Sequence, residues 1–266
     1  MLQKIEPSAP LREYVRHYVY RDGPAQILAW PVPPRPDLFL SFSLRTQYKI
    51  FDYRTGCVES LPDAIVVGPQ TRRVVDLLMN AAHAGFYVYF QPAGFHRLFR
   101  QATGNLADLA YAASDVIGAQ VTRLHERLRD ACSVSEMVQL TEQFLAAHLP
   151  AARPFHPVHA AAEMLLTRHG QVSLSGLIEA SGLSERQFER SFSEHIGSTP
   201  KLYARLARFD FAFKLKTAVP ARTWTSVSHE AGYFDHSHLV KDFNVLTGMS
   251  PSCFLRLFPA SMSASS

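Results

Sequence analysis

The sequence predicts an α+β protein: a small β-barrel or sandwich with trailing helices over residues 1–149, then an all-α domain over 158–258 in which a linker helix joins two helix-turn-helix units. Three observations predict it. Nine of the 17 prolines fall before residue 71 and none lies between Gly94 and Leu149, so turns crowd the front and disappear where helices begin. The apolar period is two in the front half and becomes helical beyond Pro92. The last hundred residues contain one supersecondary unit twice, at an offset near 51 residues.

Taken in order, LFLSFSL (38–44) alternates Leu38, Leu40, Phe42 and Leu44 on one face with Phe39, Ser41 and Ser43 on the other, and FYVYF (86–90) is aromatic and β-branched throughout. YKIFDY, AIVVG and RRVVDLLM supply further short strands, punctuated by Gly56, Pro62, Gly68 and Pro69. Over 119–148, Val121, Leu124 and Leu128, then Met137, Leu140 and Phe144, predict two helices. Their apolar seam serves either a dimer interface or packing on the sheet. Residues 150–157, in the proline-rich LPAARPFHP, read as an interdomain linker, followed by a helix from Val158 to His169; residues 259–266 read as a disordered tail.

In the repeat, Phe188, Phe192, Gly197, Thr199, Pro200, Tyr203 and Arg205 recur 51 residues later as Leu239, Phe243, Gly248, Ser250, Pro251, Phe254 and Arg256. Leu177 and Gly182 recur at offset 50 as Val227 and Gly232, so the second copy has one extra turn residue, Phe234. Each copy reads as a short helix, a glycine-containing turn and a second helix. Ser173 and Ser184 are the expected caps in the first copy; Thr225 or Ser226, then Asp235, are the expected caps in the second. That is the pattern of a DNA-reading helix-turn-helix. Between the copies, Thr199-Pro200 opens a helix of 17 residues running to Lys216, about 25 Å long.

The two units, the linker helix Pro200-x-x-Tyr203 with Arg208-Phe209-x-x-Ala212-x-x-Leu215, and the closing GYFDHSHLVKDFNVLTGMSP (232–251) resemble the DNA-binding domain of AraC/XylS-type transcriptional regulators. FQPAGFHRLF (90–99) is similar to a segment of sensor domains in one branch of these regulators. Ile178 and Ser228 stand where the family usually has a small alanine in the first helix of each unit, and Gly176 lies inside a helix, a further departure. The resemblance implies a double-stranded DNA partner, a front domain that binds a small effector or self-associates, and RNA polymerase and a second copy of the chain as further partners.

With Phe188 and Phe192 inward, Arg186, Glu189 and Arg190 face outward. Paired guanidinium donors suit guanine O6 and N7, and Glu189 suits cytosine N4 or an intrahelical pairing with Arg186. The second helix offers His236, Ser237 and Lys241, which the resemblance also places toward DNA. Lys201, Arg205 and Arg208 form a basic stripe on the linker helix, suited to phosphates. In the front half, Phe39, Phe42, Tyr48, Phe51, Tyr87 and Tyr89 are candidate pocket-lining residues, with Arg35 or Arg72 available for an anionic group.

A chain of 266 residues with 47% hydrophobic and 19% charged residues is neither disordered nor fibrous. It has no apolar run long enough to span a bilayer, and no membrane partner and a cytoplasmic location are expected. The scattered His17, His83 and His96 predict no metal. No cofactor or catalytic motif (GxSxG, P-loop, GxGxxG, HExxH) occurs, so no cofactor and no enzyme are expected, an enzymatic front domain or an effector-independent architectural DNA binder being the alternatives. Cys57, Cys132 and Cys253 read as reduced structural thiols. The net charge of +4, with a pI near 9.0, permits a polyanionic partner without requiring one.

Overall fold

The structure, a computed structural model, describes residues 1–23, 28–79 and 82–258. The tail expected at 259–266 lies outside the described residues. Two antiparallel sheets form the front half. One has the strand order β1 (Leu2–Ile5), β2 (Val15–Gly23), β9 (His83–Phe90), β4 (Phe39–Ser43), β7 (Ala64–Val67), β10 (Ala110–Ala112). The other has the order β3 (Leu28–Pro31), β8 (Val75–Met79), β5 (Lys49–Asp52), β6 (Cys57–Ser60). The sheets face one another across a cavity and do not close into a barrel.

Strand alternation divides the side chains of the six-stranded sheet between two environments. Leu40 and Phe42 on β4, and Phe86, Val88 and Phe90 on β9, point to a core shared with Tyr18 and with the helices α1 (Gly94–Phe99), α2 (Ala113–Ile117), α3 (Gln120–Asp130) and α4 (Val134–Ala146). Phe39 and Ser41, paired across strands with Tyr89 and Tyr87, point to the cavity instead. The seam of α3 and α4 packs on the sheet: Val121, Leu124, Leu128, Met137, Leu140 and Leu145 all join that core. The stretch expected as a linker is tied to the front half, the Arg153 N–H donating to the Arg97 carbonyl at 2.8 Å and Arg97 Nε donating back to the Arg153 carbonyl at 3.2 Å.

From α5 (Pro157–Thr167) onward the chain is helical: α6 (Leu174–Ser181), α7 (Glu185–Ile196), α8 (Pro200–Ala218), α9 (Trp224–Glu230), α10 (His236–Thr247) and α11 (Pro251–Leu255). α8 belongs to two cores at once. Its Tyr203 and Ala204 pack with Leu177, Phe188 and Phe192, whereas its Leu206, Phe209 and Phe213 pack with Val227, Leu239, Phe243 and Phe254. Each unit therefore buries its apolar face against one end of the same helix. All three cysteines are free and exposed, so none fills a core.

Candidate nucleic-acid interface

The two units are built alike by local chemistry. Ser173 caps α6 by accepting from the Gly176 N–H, and Ser184 caps α7 within a capping box with Gln187. In the second unit Thr223 accepts from the Ser226 N–H and opens α9, two residues before the earliest cap expected from sequence. Position 223 is Ser173 plus the 50-residue offset, so the repeat extends to its caps. Asp235 caps α10 by accepting from the His238 N–H at 2.7 Å. The turns need a left-handed backbone at Gly182 (φ 67°) and Gly232 (φ 73°), where a side chain would be strained. Ser228 is buried and its hydroxyl donates to the Thr225 carbonyl at 2.9 Å.

On α7, Glu185, Arg186, Glu189 and Arg190 are exposed while Phe188, Phe192 and Ile196 are buried. Among the described residues neither Arg186 nor Arg190 forms an ion pair, so both guanidiniums are available. On α10, His236, Ser237, His238 and Lys241 are exposed, with Leu239, Asp242 and Phe243 beneath them. The His238 ring stands edge-on to Tyr233 at 5.3 Å.

The stripe on α8 is not free. Lys201 is exposed, but Arg205 Nε donates to Asp242 Oδ1 at 2.8 Å and Arg208 donates to the Gly170 carbonyl at 2.9 Å. Arg208 also lies over the Tyr233 ring. Helical spacing aligns the three residues, yet α8 is embedded between the units, and Arg205 and Arg208 fasten it to them.

In the front half, a cavity of about 1270 Å³ is bounded by both sheets and by α8. Arg35, Phe39, Tyr48, Tyr87 and Tyr89 line it; Phe42 and Phe51 do not. Strand alternation turns Phe42 into the helix-covered core, and Ile50 and Asp52 face the cavity where Phe51 faces away, edge-on to Tyr53. Arg72 is exposed outside the cavity. A bulge between Val15 and His17 lets the adjacent Arg16 and His17 both reach the cavity. Arg16 bonds Asp37. Burial raises the Asp37 carboxyl, but Arg16, Lys214 and Arg35 outweigh it and hold the group at about 2. Burial, with Arg16 and Lys4 adding, lowers His17 to about 3. Tyr48 and Tyr87 join hydroxyls at 2.8 Å beneath Gly85, where a Cβ would come within 2.6 Å of the Tyr48 hydroxyl.

A family model described as a helix-turn-helix domain matches residues 177–257, the stretch holding α7, α8 and α10. Residues 177–257 are a helix-turn-helix domain. The front half of the chain, residues 3–111, matches a family described as a domain of unknown function, DUF6597. The chain's fold is similar to crystal structures of ToxT from Vibrio cholerae. For an apo variant from strain SCE256 the TM-score is 0.51 at 9% identity, covering 91% of this chain and 98% of that one. For the complex of ToxT from strain O395 with (E)-4-(8-methylnaphthalen-1-yl)but-3-enoic acid the TM-score is 0.50 at 9% identity, covering 96% and 98%. No curated protein matches the sequence significantly. Among the described residues, no helix is long and apolar enough to cross a membrane.

Both α7 and α10 touch the front half at their C-terminal ends. The Thr103 N–H and hydroxyl each reach the Glu194 carbonyl of α7 at 3.1 Å, and the Arg73 N–H donates to the Leu246 carbonyl of α10 at 2.8 Å. Beside the first contact lies a histidine cluster that sequence reading missed. His96 of α1 stacks on His195 of α7 (ring centroids 4.2 Å apart), and His159 Nε2 lies 3.0 Å from His195 Nδ1. The His156 N–H donates to His159 Nδ1, which fixes that nitrogen as an acceptor and Nε2 as the donor to His195. Burial, together with the neighbouring histidines, lowers His159 to about 3 and His195 to about 4. The four residues span a hundred positions of sequence, and no local spacing signals them. Among the described residues no set of three or more His, Cys, Asp or Glu is arranged to hold a metal ion.

Proposed function

We propose that the chain reads a specific DNA sequence through α7 and α10 and that a small effector in the cavity biases this reading. Arg186, Glu189 and Arg190 are the base-facing residues of the first unit; His236, Ser237 and Lys241 are those of the second, and Lys201 meets phosphate. The observation that carries the reading is the paired outward polar faces of two capped helices held by one shared helix, about 28 Å long for its 19 residues. Replacing Arg186 by Ala is expected to remove about 1–3 kcal/mol of discrimination at one base pair. Lys201→Ala is expected to weaken all sequences alike and to lower the salt dependence by about one phosphate contact. Footprinting and binding titrations on selected duplexes test both, and an unchanged sequence preference for Arg186→Ala would refute the base assignment.

The effector that fits best is an amphipathic anion. Arg35 lies over the Phe39 ring at 5.5 Å, donates to the Tyr89 hydroxyl at 3.5 Å, and keeps its buried Nε without a partner. An aromatic carboxylic acid is bound in a ToxT structure of similar fold. Because Lys214, Thr217 and Phe213 of α8 form one wall, ligand contacts would act on the helix that carries both units. Arg35→Gln is expected to weaken binding of an apolar carboxylate about tenfold, measured by calorimetry. Equal affinity for wild type and variant would remove Arg35 from the site. Residence in the cytoplasm, contact with RNA polymerase and pairing of two copies on adjacent half-sites belong to the same reading.

A further inference from the structure

Phe234 is 92% exposed, more than any other large apolar side chain among the described residues. It is the residue by which the second turn exceeds the first. The first unit passes from Gly182 to its cap Ser184 through Leu183 alone; the second passes from Gly232 to Asp235 through Tyr233 and Phe234. Tyr233 packs inward in the second core as Leu183 does in the first, so the extra residue is not needed to fill space. Its backbone is nevertheless held on both sides. The Tyr233 N–H donates to the Ser228 carbonyl at 2.9 Å, and the Asp235 carboxylate caps α10. The ring is thus presented at the N-terminal end of α10, in one exposed run with Asp235, His236, Ser237 and His238.

We propose that Phe234 reads a base, its ring resting on the C5-methyl group of a thymine in the major groove. This rests on the reading above, in which α10 enters that groove. The N-terminal residues of a recognition helix reach base edges, and the thymine methyl is the apolar group that the major groove presents. Among the described residues the ring joins none of the three apolar cores, and it stands in the exposed strip that the reading above turns toward DNA. The inference divides labour between the units. The first, with Arg186 and Arg190, reads by hydrogen bonds; the second adds an apolar contact and prefers a thymine at one position.

The test uses the full chain and a duplex selected by it. Each thymine of the half-site bound by the second unit is replaced in turn by deoxyuridine, which lacks only the methyl group. Wild type is expected to lose about fourfold in affinity at one position. Phe234→Ala is expected to lose a similar factor on the unmodified duplex and to be indifferent to deoxyuridine there, with unchanged thermal unfolding. Phe234→Leu should keep part of the preference. Uniform tolerance of deoxyuridine by wild type, or a Phe234→Ala protein still sensitive at every thymine, overturns the proposal. So does a variant with normal DNA affinity that loses self-association or polymerase recruitment, since the ring would then serve a protein partner. Lys241→Ala is the control for the parent reading: if it too leaves affinity and salt dependence unchanged, α10 does not meet DNA and both readings fall together.

Discussion

Between pH 7.5 and pH 5 the protein is expected to lose about 3 kcal/mol of stability through His159 and His195. A free histidine titrates near 6.5, whereas these two are lowered to about 3 and about 4 by burial and by the neighbouring histidines and arginines. Below pH 6.5 the unfolded chain therefore takes up protons that the folded chain refuses. Stability is full above that pH and falls at about 1.4 kcal/mol per pH unit for each ring until the folded values are reached. Two fully buried rings would give about 4 kcal/mol over this interval; the partial exposure of His195 reduces it. Geometry explains the refusal. His195 Nδ1 accepts from His159 Nε2, and a proton on His195 would set two N–H groups against each other. Arg97 and Arg153 add positive charge on the same side, Glu194 offers one opposing carboxylate near His96, and His156 and Phe155 close the remaining side. Because His96 belongs to the front half and His195 to α7, acid should loosen the first reading unit from the front half before the whole chain unfolds. Urea unfolding at the two pH values, compared with the His159→Gln/His195→Gln double variant, checks this; a wild type whose midpoint shifts no more than the variant's would contradict it.

Asp242→Ala is expected to cost about 1.5–3 kcal/mol and to blur the spacing between half-sites. Asp242 is buried on α10 and holds Arg205 of α8, whose side chain remains one-third exposed. Removing the carboxylate leaves a partly wet guanidinium, so the cost stays below that of a fully buried broken pair. The pair has a positional consequence as well. Arg205 and Arg208 tie α8 to the second unit and to Gly170, whose left-handed backbone (φ 70°) packs so tightly on α8 that a Cβ would meet the Ala204 carbonyl at 2.0 Å. With α10 freer to swing about α8, duplexes whose half-sites are one base pair closer or farther should be discriminated less. The Arg205→Met/Asp242→Leu pair should recover stability. Binding to spacing variants and equilibrium unfolding measure the two effects; an Asp242→Ala protein as stable and as spacing-selective as wild type would show that the pair fixes nothing.

Much of the recognition domain was legible because its signals are local. Caps such as Ser184 and Asp235, turn glycines such as Gly182 and Gly232, and inward pairs such as Phe188 and Phe192 act within four residues, and the repeat presents them twice. Lys201, Arg205 and Arg208 show where local reading stops. Spacing places them on one stripe, but whether a basic stripe meets water or another helix depends on the partner across from it, here Asp242 and Gly170. Phe39 and Phe42 show the same limit on a strand. Alternation separates their faces, yet only the arrangement of layers decides which face meets the cavity and which the helices.

By itself, then, the sequence determined the two helix-turn-helix units, their shared helix, the outward residues of α7 and α10 and the sheet-forming front half, because each depends on backbone preference and periodicity over a few residues. The tertiary structure alone decided the open pair of sheets, the cavity against α8, the docking of the front half on the ends of both reading helices and the cluster of His96, His156, His159 and His195. Those features join residues far apart in the chain, and their distances are set by how layers pack rather than by any spacing along it.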